Sequence, residues 1–406
     1  MTLKRLAPII CLPILVLCCV IIPKDGTQVQ SRWIPDYWPT LGWQTSTPED
    51  QGMDSSLLSA MDDFIDAADW GFAMVSSVVV KNGYIVHESY YDSYDETDRR
   101  NIFSCTKSFI STLVGIALSA GYLSSLDETV VDYFSDRTIA NLDSRKQAMT
   151  IEHLLTMTAG FDWPEHPYGA ASPYNQMTSS EDWVQFVLDR PMAHEPGEVW
   201  NYNSGASHLL STIVNITTGQ YTQDYAEDYL FAPLGITHYD WGEDPDGTAF
   251  GGSSLRLTPR DMAKLGFLFL NNGTWDGEQI VPADWVSTAT ASHLLLDDQM
   301  GYGYQWWTSP LIEAYSARGH LGQLIYVFPT LNMVVVFTAS TNCLQDTILI
   351  EDYVLPAAGV VVGAGLPQNP ELIAALTIGA LVILIPLIAV SAYTLHRRRA
   401  ISSTSS

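Results

Sequence analysis

Two pairs of apolar, β-branched runs bracket the central part of this chain, and any fold must satisfy both. The first pair is Met74–Val80 and Tyr84–Tyr90, separated by Lys81-Asn82-Gly83. Asn-Gly between such runs predicts a tight hairpin, because both residues tolerate the positive φ that its turn demands. The second pair is Leu324–Phe328 and Met333–Ala339, joined by Pro329-Thr330-Leu331-Asn332. Between the pairs the apolar period is helical. Strands first, helices in the middle and strands last predict one α+β domain, in which N- and C-terminal strands form a single antiparallel sheet flanked by helices and a mostly helical insert.

The helical stretches follow from spacing. Ser55–Ala68 carries Leu57, Leu58, Met61, Phe64 and Ile65 on one stripe, and the helix after residue 104 buries Phe109, Ile110, Leu113, Val114 and Leu118, with Gly121 as its stop. Thr150–Met157, Ser204–Thr217, Pro259–Leu270 and Pro282–Ser292 also read as helices. Gly160–Gly197, rich in Pro, Tyr, Trp and His, reads as an irregular insert of the kind that lines a site.

The ends differ from the body. Lys4 and Arg5 precede an uncharged run from Leu6 to Ile22, so residues 1–30 read as a signal peptide or an N-terminal anchor. Leu372 to Leu395 is 24 residues without a charge, about 36 Å as a helix and enough to cross a bilayer. His396-Arg397-Arg398-Arg399 follows, which places that end in the cytoplasm and the body outside it. The resulting expectation is a body over 31–355, a linker at 356–370, a membrane-spanning helix at 371–396 and a cytoplasmic tail at 397–406, with the chain at the cell membrane.

Charge narrows the partners. Outside residues 1–30 and 371–406, 13 Lys and Arg stand against 43 Asp and Glu, which disfavours nucleic acid because phosphate contacts need clustered cations. Cys11, Cys18 and Cys19 lie in the first apolar segment, leaving Cys105 and Cys343 in the body, so there is no disulfide framework. The nine histidines make no His-Glu-x-x-His or paired set. No metal and no cofactor are expected.

Chemistry concentrates in three short stretches. Ser104 and Lys107 lie three apart, one turn from each other on a helix. A hydroxyl beside an amine is what an activated serine needs, because serine is unreactive without an adjacent base. Tyr202-Asn203-Ser204 follows Pro196-Gly197 and opens a helix, and Gly319-His320-Leu321-Gly322-Gln323 enters the closing strands. Each is weak alone; their order and contexts give them weight.

Six blocks carry a wider likeness: residues 46–53 (Ser-Thr-Pro-Glu-Asp-Gln-Gly-Met), Phe103 to Phe109, Ile151 to Gly160, Asn201 to Gly205, Leu257 to Met262, and Gly319 to Gln323. With them the chain resembles the serine β-lactamase-related, penicillin-binding-protein-like superfamily from about Trp43 to Pro356, most closely its class C-like esterases and 6-aminohexanoate-oligomer hydrolases. The resemblance implies a β-lactamase/transpeptidase-like fold and acyl transfer through Ser104. Lys107, desolvated, would take the serine proton; Tyr202, its phenolate favoured by Lys107, would share that role and protonate the leaving group. The backbone N–H groups of Ser104 and Gln323 would form the oxyanion hole. His320 would complete the catalytic set at the substrate-anchoring position, and Ser204, Gly322, Tyr168, Tyr304 and Trp306 would line the substrate pocket, with Trp163, His166, Tyr174 and Trp307 as further candidates beside them. Cys105, about 100° round the helix from Ser104, is expected to point into the core.

Two departures bear on substrate. Ser204 and His320 occupy positions where β-lactamases typically carry Asn and Lys, which argues against efficient β-lactam hydrolysis. The leading reading is a membrane-tethered serine hydrolase acting on a small ester, an amide or a short peptide. The alternatives are a D-alanyl-D-alanine carboxypeptidase or endopeptidase acting on cell-wall peptides, and a catalytically silent scaffold.

Overall fold

The computed structural model describes residues 34–67, 73–341 and 346–361. The hairpin forms as its turn residues dictate: β1 (Met74–Lys81) and β2 (Tyr84–Tyr90) are joined through Asn82 at φ 50° and Gly83 at φ 83°. Six further strands complete an eight-stranded antiparallel sheet: β3 (Leu294–Leu295), β4 (Gly301–Tyr302), β5 (Trp307–Ser309), β6 (Ala314–Gly319), β7 (Gln323–Phe328) and β8 (Met333–Ala339). Their spatial order is β2-β1-β8-β7-β6-β5-β4-β3, so the first hairpin pairs with the last strand, with Val78 opposite Val336. The expected union of N- and C-terminal strands is present.

Strand alternation divides the core in two. Val79, Tyr326, Phe328, Val335 and Phe337 face one cluster, shared with α1 (Ser55–Asp66) and the helical segment Asp346–Ala357. Each fully buried aliphatic side chain here contributes roughly 1.5–3 kcal/mol. The opposite face takes α5 (Pro259–Leu270), begun by Pro259 and by Thr258, whose hydroxyl accepts from Asp261 N at 3.1 Å. Gly266 lets that helix approach the sheet: a Cβ there would lie 2.6 Å from Val334 Cγ1. β8 is buried on both faces, which is why it reads as a continuous apolar run.

The insert supplies α2 (Thr106–Ser119), α3 (Ile151–Leu155) and α4 (Ser204–Thr218), with α2 packed along α4. The stretch expected as a helix over Pro282–Ser292 is shorter, Ala283–Ala289. Strands β3 to β6 were not legible; β3, β4 and β5 have two or three residues each, too few to show alternation.

One boundary is corrected. Leu355 and Ala357 are buried in the sheet cluster and Val360 packs against it, so the body runs past 355 into the expected linker. The anticipated N-terminal segment at 1–30 and the spanning helix at 371–396 lie outside the described residues. Among the described residues no helix is long and apolar enough to cross a membrane.

Candidate active site

Ser104 sits on a sharp strand-to-helix turn. Arg100 and Asn101 pair with Leu257 and Arg256, then the chain reverses through Phe103 at φ 47° into a single 3₁₀ turn that feeds α2. A positive φ at a non-glycine residue is strained, and here the surroundings hold it: Asn101 Oδ1 accepts from Phe103 N at 2.8 Å, and Cys105 N donates to Ile102 O at 3.1 Å. The end of β6 presses on this turn. A Cβ at Gly319 would lie 2.2 Å from Ile102 O, so only glycine permits the approach. Cys105 points away as anticipated, donating its thiol to Gln323 O at 3.2 Å; burial pushes that thiol's pKa far up, so it stays protonated.

Lys107 is 1% exposed, beneath Ser104. Its Nζ donates to Ser104 Oγ at 3.0 Å, to Ser204 Oγ at 3.0 Å and to Gly252 O at 2.7 Å. Burial lowers its pKa to about 8, against the opposing pull of Glu165. A lysine held there spends a substantial share of its time neutral near pH 7–8, which is what a proton acceptor requires.

Tyr202 hydrogen-bonds with the Ser104 side chain, and its ring lies 4.8 Å from Lys107 Nζ. The expected phenolate is not supported. Lys107 meets the ring face, while desolvation raises the phenol's pKa well above its usual value, so Tyr202 carries its proton at neutral pH. The ring stacks on Trp307 at 6.1 Å, and Trp200 meets Trp307 edge-on at 5.7 Å, forming an aromatic wall.

The third motif turns between β6 and β7, with Leu321 at φ 61° and Gly322 at φ 82°. His320 lies between two rings, Phe103 at 5.6 Å and Tyr168 at 5.4 Å, and His166 packs on Tyr168 at 4.5 Å. Burial and then His166 lower the His320 pKa, so it is neutral at pH 7. Gln323 braces the turn: its buried amide donates to Leu321 O at 3.0 Å and to Ala339 O at 2.6 Å, tying the motif to β8.

The structure therefore brings Ser104, Lys107, Tyr202, His320, Gly322, Gln323 and Tyr168 to one end of the sheet. Three pocket residues are corrected. Trp306 is fully buried against Phe269 and Tyr315, because neighbours in an extended segment point to opposite faces; of the two adjacent candidates only Trp307 joins the wall. Tyr304 hydrogen-bonds Glu152 at 2.5 Å and stacks on His293, lining a cavity of about 310 Å³ with Gly115 and Trp285 behind α2. Ser204 is 1% exposed and serves Lys107 rather than an open pocket.

Sequence reasoning missed Glu165. This carboxylate is 3% exposed and accepts from Ser204 Oγ at 2.6 Å, Ser204 N at 3.1 Å and Trp163 Nε1 at 2.5 Å. The available signal was a lone acid two residues after a tryptophan in an irregular, aromatic stretch. Among the described residues no group of three or more His, Cys, Asp or Glu is placed to hold a metal ion.

Fold and site together define a class, the serine hydrolases of β-lactamase fold. Comparison with known proteins gives the family: its model, described as Beta-lactamase, matches residues 61–357, and the chain belongs to it. A 6-aminohexanoate-dimer hydrolase of Paenarthrobacter ureafaciens is 23% identical over 286 residues, covering 65% of this chain and 71% of that protein. Among solved structures, EstCE1, a hydrolase with promiscuous acyltransferase activity, superposes with a TM-score of 0.62 at 18% identity, covering 76% of this chain and 99% of the other. The octameric penicillin-binding protein homologue from Pyrococcus abyssi gives a TM-score of 0.61 at 19% identity, covering 76% and 79%.

Proposed function

We propose that this protein hydrolyses a carboxylic ester or amide without an obligatory negative charge, through an acyl-serine intermediate. The observation that carries this is the buried Lys107 amine, 3.0 Å from Ser104 Oγ with a pKa of about 8. Neutral Lys107 takes the Ser104 proton as Oγ attacks the carbonyl carbon. The N–H groups of Ser104 and Gln323 receive the developing oxyanion, each such donor being worth about 3 kcal/mol of barrier. Tyr202 passes its proton to the departing alkoxide or amine and is left as a phenolate balanced by the ammonium of Lys107. A water then loses its proton to the Tyr202 phenolate and attacks the ester carbon, and Ser104 Oγ leaves with the proton that Lys107 holds, which releases the acid and restores Ser104, Lys107 and Tyr202. Neutral His320 offers no fixed charge to a substrate carboxylate, which supports esters and amides over the carboxypeptidase reading.

The charge-free stretch Leu372–Leu395 and its trailing arginines support a further part of this proposal, that the domain is tethered at the outer face of the cell membrane. Proteolysis of intact cells should then remove the domain; protection of it until lysis overturns the tether. Fluorophosphonate labelling and turnover of a p-nitrophenyl acyl ester test the chemistry. Both should vanish in S104A, and labelling that survives that change overturns the assignment. Rapid, long-lived labelling by a fluorescent penicillin would favour the peptidase reading instead.

A further inference from the structure

We infer that Glu165 is a positioning residue for the base: by accepting the single proton of the Ser204 hydroxyl, it aims the lone pair of neutral Lys107 at Ser104. This rests on the serine-hydrolase reading above and adds to it the part that makes the lysine directional.

A neutral primary amine has two N–H groups and one lone pair, and Nζ of Lys107 has three oxygen neighbours. Gly252 O only accepts, so it takes one N–H. The two hydroxyls are ambiguous, since each can donate or accept. If Ser204 accepts from the lysine, the second N–H is used and the lone pair faces Ser104. If Ser204 donates instead, its proton occupies the lone pair and Ser104 faces an N–H that cannot take its proton. A serine hydroxyl rotates freely, so something outside the pair must decide.

Glu165 decides it. Its Oε2 already receives two N–H donors that cannot rotate away, from Ser204 N and Trp163 Nε1. Its Oε1 can only accept and takes the Ser204 Oγ proton at 2.6 Å, and the Tyr168 hydroxyl, itself a donor, also hydrogen-bonds this carboxylate. The hydroxyl proton is therefore spent on Glu165, and its oxygen is left as an acceptor for Lys107. Ser204, Glu165 and Lys107 are all nearly fully buried, so water does not compete for these directions.

A glutamine at this position has nearly the same shape and reverses the logic. The two fixed N–H donors draw its amide oxygen, which leaves its NH₂ against Ser204 Oγ. That NH₂ donates, and the Ser204 proton turns to Lys107. E165Q should lower kcat on the p-nitrophenyl ester about a hundredfold, with KM within about threefold and thermal midpoint little changed. E165D, a poorer fit that still only accepts, should keep more kcat than E165Q. Removing the misdirected hydroxyl in E165Q/S204A should recover about tenfold over E165Q.

A merely structural Glu165 gives the opposite ranking, with the isosteric E165Q at least as active as E165D and the double variant worse than either. That ranking, or a kcat for E165Q near that of the unaltered protein, overturns the inference. Should E165Q not fold, E165D against E165N poses the same acceptor-or-donor contrast at shorter reach, and E165N equal to or above E165D overturns it. Labelling that survives S104A sinks the hydrolase reading and this inference with it. Labelling lost in S104A but undiminished in rate in E165Q sinks the inference alone.

Discussion

Lys107 and Lys146 are both buried, and both lose basicity by desolvation. Each also sits near an aromatic ring, Tyr202 for the first and Phe161 for the second. Their acceptors differ. Lys146 Nζ donates to two backbone carbonyls, Ala140 O at 2.8 Å and Leu188 O at 2.6 Å, and thereby fastens two segments of the insert. Lys107 has one carbonyl and two hydroxyls, and one of those hydroxyls belongs to Ser104. Carbonyls can hold an ammonium but have no proton to give it. Burial thus makes a weaker base in both places, and only the hydroxyl partner gives that base something to do.

Substitutions separate the two lysines. The largest effect is expected from S104A, which should cost about 10⁴-fold or more in ester turnover with no loss of folding, measured by kinetics alongside a thermal melt. Next comes the exchange of each lysine for methionine. K107M should lower kcat/KM about 10³-fold at a smaller stability cost of about 1–2 kcal/mol, because one buried carbonyl, that of Gly252, loses its donor while an apolar chain replaces a desolvated amine. K146M should do the reverse, costing about 2–4 kcal/mol in denaturant melts as two buried carbonyls lose their donor, with the folded fraction still active. If both substitutions act mainly on stability, Lys107 is a structural lysine like Lys146.

A smaller effect is expected from pH. Because the neutral form of Lys107 is the acceptor, kcat/KM should climb about tenfold per pH unit below about 8 and level off above it. K146M should leave that limb in place. Smallest of all is H320K: a fixed charge at the mouth should speed acylation by penicillin about tenfold and change neutral-ester turnover only a few-fold. No gain on the anionic substrate would mean that His320 does not face it.

The elements with a long period were legible in the sequence. α5 runs over Pro259–Leu270 as its proline start and apolar stripe require, and the Asn82-Gly83 turn makes its hairpin. So were Ser104, Lys107 and Tyr202, because each opens or follows a recognisable element. What escaped depended on facing. Trp306 and Trp307 are adjacent and chemically alike, and only the sheet decides which enters the core. The Tyr202 phenol was misjudged for a similar reason: proximity to a cation is readable, but whether the cation meets the hydroxyl or the ring face is not.

By itself, the sequence determined the strand-helix-strand order, the union of N- and C-terminal strands in one antiparallel sheet, and the nucleophile with its neighbouring amine, because these follow from spacing along one or two turns of chain. Tertiary structure alone decided the state of that amine. The Gly252 carbonyl, the Ser204 hydroxyl and Glu165 converge on it from three separate segments, and closing the structure over them removes the water that would hold Lys107 charged. Proton direction and basicity are set by what is packed within 3 Å in space, and no periodicity in the chain encodes that.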